Sequence, residues 1–264
     1  MPGNDLKLAE AHAQFSGRRL WYRDTGGKGV PVVFLHARTG SSLVWEQQIA
    51  PFAAAGYRFI AYDRLGHGKS ALEAGADPGA ASDDLDGLMR YLGIGRFHLI
   101  GTAAGGIIAL DYALSFAPSL RSLVIANSIG GVQDEDYLAL GRRLRPPQFM
   151  QLPPALRELG PSYRAANEAG EARWSELEHL SRSKAAPEQP LRNRITFALL
   201  ETITLPVLLL SGDADLYTPP AVLRLFAARI SNSRSVVIGE CGHSAYWEQP
   251  EVFNREVLAF LGKH

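Results

Sequence analysis

The stretch "FHLIGTAAGGIIALDYAL", residues 97–114, decides the fold. Its first half is an unbroken apolar run that stops at Gly101, the pattern of a strand buried on both faces. Its second half reads as a helix. Between them stands "GTAAGG". A strand that turns straight into a helix strains the residue at its tip, and the close approach needs small neighbours. Gly101 and Gly105 stand two residues before and after Ala103, and Gly106 lets the helix pack close to the sheet. The turn has the shape of a nucleophile elbow. Its tip carries only a methyl group.

Working outward, the same continuous pattern recurs at "VPVVFLH" (30–36), "YRFIAYD" (57–63), "SLVIANS" (122–128), "PVLLLSG" (206–212) and "RSVVIGE" (234–240). Helix-like segments fall between them, over 43–55, 83–93, 104–116, 219–229 and 248–261. Strands alternating with helices predict an α/β fold around a mostly parallel sheet. Residues 11–24 read as an opening hairpin with "SG" as its turn. The alternation breaks once, from Gly130 to Ile203, in a proline-rich stretch without a convincing strand. Its helical pieces include "LPPALREL" and "EARWSELEHLSR". Long insertions of this kind are usually functional, so 130–203 is expected to be a helical lid on a core made of 1–129 and 204–264.

The chain has 264 residues, 46% hydrophobic and 20% charged, enough to bury a large core without staples. Lys+Arg and Asp+Glu both number 27. That balance argues against nucleic acid or an anionic membrane as partner. Cys241 is the one cysteine, so no intramolecular disulfide forms and a reducing compartment is expected. "MPGNDLKLAEAHAQF" lacks the pattern of a signal peptide, and no apolar run reaches membrane-spanning length. A cytoplasmic location follows as the expectation.

In open parallel sheets, ligands bind beyond the carboxyl ends of the strands. Those ends carry "HARTG", "GTAAGG", "GDADLYTPP" and "CGHSAYWEQ". A small elbow, a carboxylate and a histidine thus occur in the chain order of a Ser…Asp…His hydrolase. With "LHARTG", "YDRLGHGKS", "GTAAGG", "SGDADLYTP" and "CGHSAYWEQP" in register, the chain resembles the α/β-hydrolase family, in its capped branch of esterases, C–C bond hydrolases and dehalogenases. The resemblance implies an eight-stranded, mostly parallel sheet flanked by helices, with the lid inserted. It implies no cofactor and a small-molecule substrate. Histidines and the cysteine do not fall at metal-ligand spacings.

The resemblance also assigns roles. Ala103 occupies the nucleophile position. The acid is Asp215, three residues after Gly212, while Asp213 is structural. His243 is the general base and acid. Backbone N–H groups of Ala104 and Arg38 are the expected oxyanion donors, with His36 bracing their loop. Ala37 stands where relatives usually carry Gly. His67 lies in a structural turn, and Cys241 is a small buried hydrophobe. Trp45, Thr102, Tyr217, Ser244 and Trp247 flank these motifs and are candidates for substrate contact, with Tyr246 beside them. Arg142 and Arg145, in "GRRLRPP", are candidates to grip a substrate carboxylate, or simply a solvated helix end. Arg38 has the same two readings at the pocket mouth.

Alanine cannot attack a carbonyl. Three readings of Ala103 stay open: a Ser→Ala change that leaves a substrate-trapping, inactive hydrolase; a nucleophile-less relative using the His–Asp pair as a base in dioxygenase or lyase chemistry; or a binding protein. Ser244 replaces the Trp of the ring-cleavage C–C hydrolases, and "HARTG" replaces their "GPG" loop. Carboxylic ester hydrolysis is therefore ranked above C–C cleavage. A dehalogenase would need Asp at the elbow tip.

Overall fold

A computed structural model describes residues 7–181 and 186–264. The final Arg182 of the expected helical piece "EARWSELEHLSR" and the first six residues of the leader reading lie outside them. The chain opens with a hairpin of β1 (Ala9–Phe15) and β2 (Arg18–Asp24). Its turn is Ser16–Gly17, both at positive φ (47° and 73°), as a two-residue hairpin turn requires. β3 (Pro31–Leu35), β4 (Arg58–Tyr62), the two-residue β5 (Ala71–Leu72), β6 (Phe97–Thr102), β7 (Leu120–Ala126), β8 (Val207–Gly212) and β9 (Ser233–Ile238) follow.

The order across the sheet is β1-β2-β4-β3-β6-β7-β8-β9, with β5 paired to β2 off that path. The pairs from β4 to β9 are parallel, and β1, β2 and β4 pair antiparallel. The expected eight strands form this path, and β5 is the addition. The continuous apolar runs of β6 and β8 are buried along their whole length. β9 differs. It closes the sheet at one edge, and most of its residues are exposed or half-exposed. An edge strand with Ser233, Arg234 and Ser235 discourages further strand pairing.

A 3-10 turn (Ser42–Trp45) leads into α1 (Glu46–Ala54), and α2 (Ala81–Tyr91) and α3 (Ala104–Phe116) follow. Between β7 and β8 lie α4 (Glu135–Leu144), α5 (Pro154–Glu158), α6 (Pro161–Ala166), α7 (Glu168–Ser181) and α8 (Phe197–Leu200). No strand occurs there among the described residues. The chain ends with α9 (Pro220–Ala227), α10 (Ala245–Glu248) and α11 (Pro250–Leu261). Side chains from opposite faces of the sheet make two cores. One joins Leu99, Leu123 and Leu209 to Leu85, Leu110 and Phe226. The other joins Phe34, Ile100 and Leu210 to Phe52, Tyr246 and Phe253. Among the described residues no helix is long and apolar enough to cross a membrane.

Candidate active site

Ala103 caps α3 at φ 48° and ψ −115°, a sparsely populated backbone region for an L-residue. The surroundings over-determine it. Its N–H donates to Ala126 O (3.0 Å) and its carbonyl accepts from Ser128 Oγ (2.6 Å). A Cβ on Gly105 would lie 2.2 Å from Leu35 O, and one on Gly101 would lie 2.4 Å from Gly105 O. Only glycine lets β6, α3 and the end of β3 come this close.

Asp215 follows β8 and His243 follows β9, so neighbouring strands deliver them to one place. His243 Nδ1 lies 2.9 Å from both Asp215 carboxylate oxygens. Asp215 also accepts from the Tyr217 N–H (2.8 Å), the Thr218 N–H (2.9 Å) and Asn127 Nδ2 (3.0 Å). Burial alone would raise the Asp215 carboxyl, but His243, Asn127 and the Thr218 N–H outweigh it and hold it below the ordinary range. Burial pulls the His243 imidazole down, whereas Asp215, Glu158 and Glu248 carry it above its usual value. With Nδ1–H directed at the carboxylate, Nε2 is left to accept a proton. Asp213 accepts the Cys241 N–H (3.1 Å) and so braces the His243 loop. Burial pushes the Cys241 thiol far up, which keeps it inert.

The loop after β3 is held from below. His36 is buried; its Nε2 accepts the Arg64 N–H (3.0 Å) and its Nδ1 donates to Ala37 O (2.7 Å). Burial and the Arg64 charge hold it neutral, well below the usual histidine value. Arg64 Nη2 donates to Ala37 O (3.1 Å), and His67 Nε2 lies 3.2 Å from Arg38 O. The GHGKS turn thus braces the loop together with His36. Among the described residues, neither the Arg38 N–H nor the Ala104 N–H donates to a protein acceptor. The Ala104 N–H heads α3, where the helix dipole favours negative charge. The Arg38 side chain is exposed.

Tyr217 is the one expected substrate contact that lies directly on the pair, its ring 4.3 Å from that of His243 at 31°. Arg145 does not reach into open space. It donates to Tyr217 O (2.8 Å) and so positions that residue. Arg142 is exposed and faces Glu135 at 3.5 Å, the solvated helix end rather than the carboxylate grip. Two tryptophans are corrections. Trp45 is fully buried against Phe34 (5.0 Å) and Tyr246 (4.7 Å). Trp247 is buried with its Nε1 donating to Gly170 O (3.2 Å). Both are packing residues, because a large ring beside a motif is as useful to the core as to a ligand. Thr102 is fully buried behind the elbow, and Ser244 is buried with its N–H on Glu248 Oε1 (3.0 Å).

Three site residues escaped the sequence. Asn127, at φ 49°, joins Asp215 to Gly242 O (3.1 Å). Glu248 sits inside "CGHSAYWEQP", and its Oε2 accepts the N–H groups of Gly160 (2.7 Å) and Gly242 (2.8 Å). Glu158, at the end of α5, takes the His243 N–H on its carbonyl (2.8 Å) and the Thr39 hydroxyl on Oε2 (3.0 Å). Asn127 and Glu248 had a signal, since each lies in or just after a quoted motif. Glu158 had none. Among the described residues no cluster of His, Cys, Asp and Glu is arranged to hold a metal ion.

The chain matches the model of the alpha/beta hydrolase family over residues 32–256. A 2-hydroxy-6-oxononadienedioate/2-hydroxy-6-oxononatrienedioate hydrolase of Burkholderia vietnamiensis is 31% identical, over 92% of this chain and 91% of its own. A 2-hydroxy-6-oxo-6-phenylhexa-2,4-dienoate hydrolase of Comamonas testosteroni is 26% identical, over 98% and 97%. A thermophilic esterase from Thermogutta terrifontis superimposes with a TM-score of 0.77 at 23% identity, over 97% of this chain and 98% of its own. The enol-lactonase from Burkholderia xenovorans gives 0.74 at 24%, over 95% and 99%. These two structures share the fold.

Proposed function

The chain belongs to the α/β-hydrolase family, and from that premise we propose that it binds a small to medium, partly apolar carboxylic ester over Ala103 without forming an acyl-enzyme. The observation that carries this reading is the Asp215–His243 pair, held at 2.9 Å with no hydrogen bond to Nε2 among the described residues, in a chain whose strained elbow ends in the methyl group of Ala103. Helices α4 to α8 act as the lid, and the substrate is a small molecule met in the cytoplasm.

With serine at position 103 every step has a group to perform it. The hydroxyl oxygen attacks the ester carbonyl while His243 Nε2 takes its proton. The N–H groups of Ala104 and Arg38 hold the oxyanion, an interaction worth roughly 10²–10³ in rate per donor. His243 returns the proton to the leaving alcohol, and water then releases the acid. With alanine the ester is bound and left intact. Ala103→Ser should therefore hydrolyse 4-nitrophenyl esters of short acids, and His243→Ala on that background should abolish it. A folded serine variant inert across a panel of esters would sink the reading.

Relatives named as C–C bond hydrolases, one of them 31% identical, support a second reading. It expects Ala103→Ser to cleave a 2-hydroxy-6-oxodienoate faster than any ester of matched size. If the unaltered chain consumes an enolisable carbonyl compound, and loses that activity with His243→Ala, the pair acts as a base on its own.

A further inference from the structure

Glu158 is an acid that the Asp215–His243 chemistry does not use. It ends α5 and is only 6% exposed. Its carboxylate accepts Thr39 Oγ1 on Oε2, from the loop expected to bind the oxyanion, while its main-chain carbonyl accepts the His243 N–H. Oε1 receives no hydrogen bond among the described residues, and no Lys or Arg among them forms an ion pair with Glu158. The nearby Arg157 is engaged elsewhere, donating to Tyr217 Oη (2.8 Å) and Leu152 O (3.1 Å). The other two carboxylates are fully occupied. Asp215 takes His243, Asn127 and two N–H groups, and Glu248 takes three N–H groups. Three carboxylates therefore act on one imidazole, and one of them has an acceptor oxygen to spare. A buried carboxylate with a single neutral donor is costly. Burial accordingly raises its pKa, only partly offset by His243, Thr39 and the charge of Arg157.

We propose that Glu158 is the specificity residue of the site, selecting a substrate with an ammonium group on its acyl side and rejecting one with a carboxylate there. This rests on the reading of Ala103 as the place where a carbonyl compound binds. A ligand ammonium would supply the direct ion pair and the donor to Oε1 that no described residue provides. A ligand carboxylate would meet a like charge on a largely buried side chain.

The test uses three uncleavable amides of matched length on the unaltered chain: 5-aminopentanamide, pentanamide and glutaramate. Binding is followed by NMR titration at pH 7.5. The aminoamide should bind at least about tenfold more tightly than pentanamide, with glutaramate weakest. In Glu158→Gln, whose amide oxygen still accepts from Thr39, the aminoamide-to-pentanamide ratio should fall toward one. A purely structural Glu158 would lower both affinities together and keep their ratio, which overturns the proposal. Equal affinities, or tightest binding of glutaramate, overturn it also. If no amide binds while Ala103→Ser hydrolyses neutral esters, the proposal fails and the reading of the site stands. If no amide binds and Ala103→Ser is inert on every ester, both fall together.

Discussion

Glu248→Ala tests how the helical insertion is tied to the His243 loop. The Glu248 side chain is buried, and its oxygens accept the N–H groups of Gly160 (2.7 Å), Gly242 (2.8 Å) and Ser244 (3.0 Å). Gly160 lies between α5 and α6; the other two flank His243. One carboxylate thus closes three donors from two segments about eighty residues apart. Each buried donor left unsatisfied costs about 1–3 kcal/mol. Water entry and relief of the buried charge reduce the sum, so about 3–4 kcal/mol is expected for Glu248→Ala. For a chain of this size that lowers the midpoint of thermal unfolding by roughly 6–16 °C. Glu248→Gln keeps one acceptor but turns an amide NH₂ toward a donor, and should cost about half as much. Urea and thermal unfolding of both variants measure these losses. On the Ala103→Ser background, Glu248→Ala should also lower esterase kcat, because the His243 loop loses its anchor. Unfolding of Glu248→Ala within about 1 kcal/mol of the parent would refute the reasoning.

On that same serine background, Asp215→Asn should lower kcat by about 10⁴, because the amide presents the wrong partner to Nδ1; a loss under tenfold would mean that His243 is held by other contacts. Gly105→Ala drives a methyl group to 2.2 Å from Leu35 O, so the elbow must move and unfolding should shift by about 3 kcal/mol or more. A smaller shift would show that β6 and α3 can separate. His98 is buried on Ser122 Oγ (2.7 Å), and burial, with Arg121 and His264, lowers its pKa from 6.5 to about 4. The unfolded chain therefore takes up this proton first as pH falls below 6.5. Stability is full above that pH and is lost toward pH 4, by roughly 3 kcal/mol. Urea titrations at pH 7.5 and 4.5 should show this loss shrink in His98→Gln.

What the sequence revealed was local or periodic. The continuous runs of β6 and β8, the hairpin turn at Ser16–Gly17 and the order elbow, acid, histidine all depend on neighbours in the chain, and all appear in the structure. The two tryptophans failed because burial is a property of the assembled layers: Trp45 beside "SSLV" reads the same whether its ring faces a ligand or Phe34. Glu158 was invisible for the same reason. In "PPALREL" an acid at the end of a short helix looks solvated, and only the folding of α5 onto the His243 loop removes it from water. The exposed β9 reads as apolar because "VVI" says nothing of edge position.

The geometry at Ala103 bears on what the missing oxygen means. A non-glycine residue at φ 48° and ψ −115° costs about 1–3 kcal/mol. That strain is usually set against catalysis, yet here it persists on a methyl group. The cause lies in its neighbours: Gly105 against Leu35 O, Gly101 against Gly105, and the Ser128 hydroxyl on Ala103 O fix the turn without help from the tip. The elbow's shape is therefore silent about its own chemistry, since serine and alanine would occupy it alike. The Asp215–His243 pair is not silent. Two buried ionisable groups, with Asn127 committed to hold one of them, add no stability that apolar packing could not match. The Ala104 and Arg38 N–H groups are likewise without protein acceptors among the described residues, which supports the proposal that a carbonyl compound binds here.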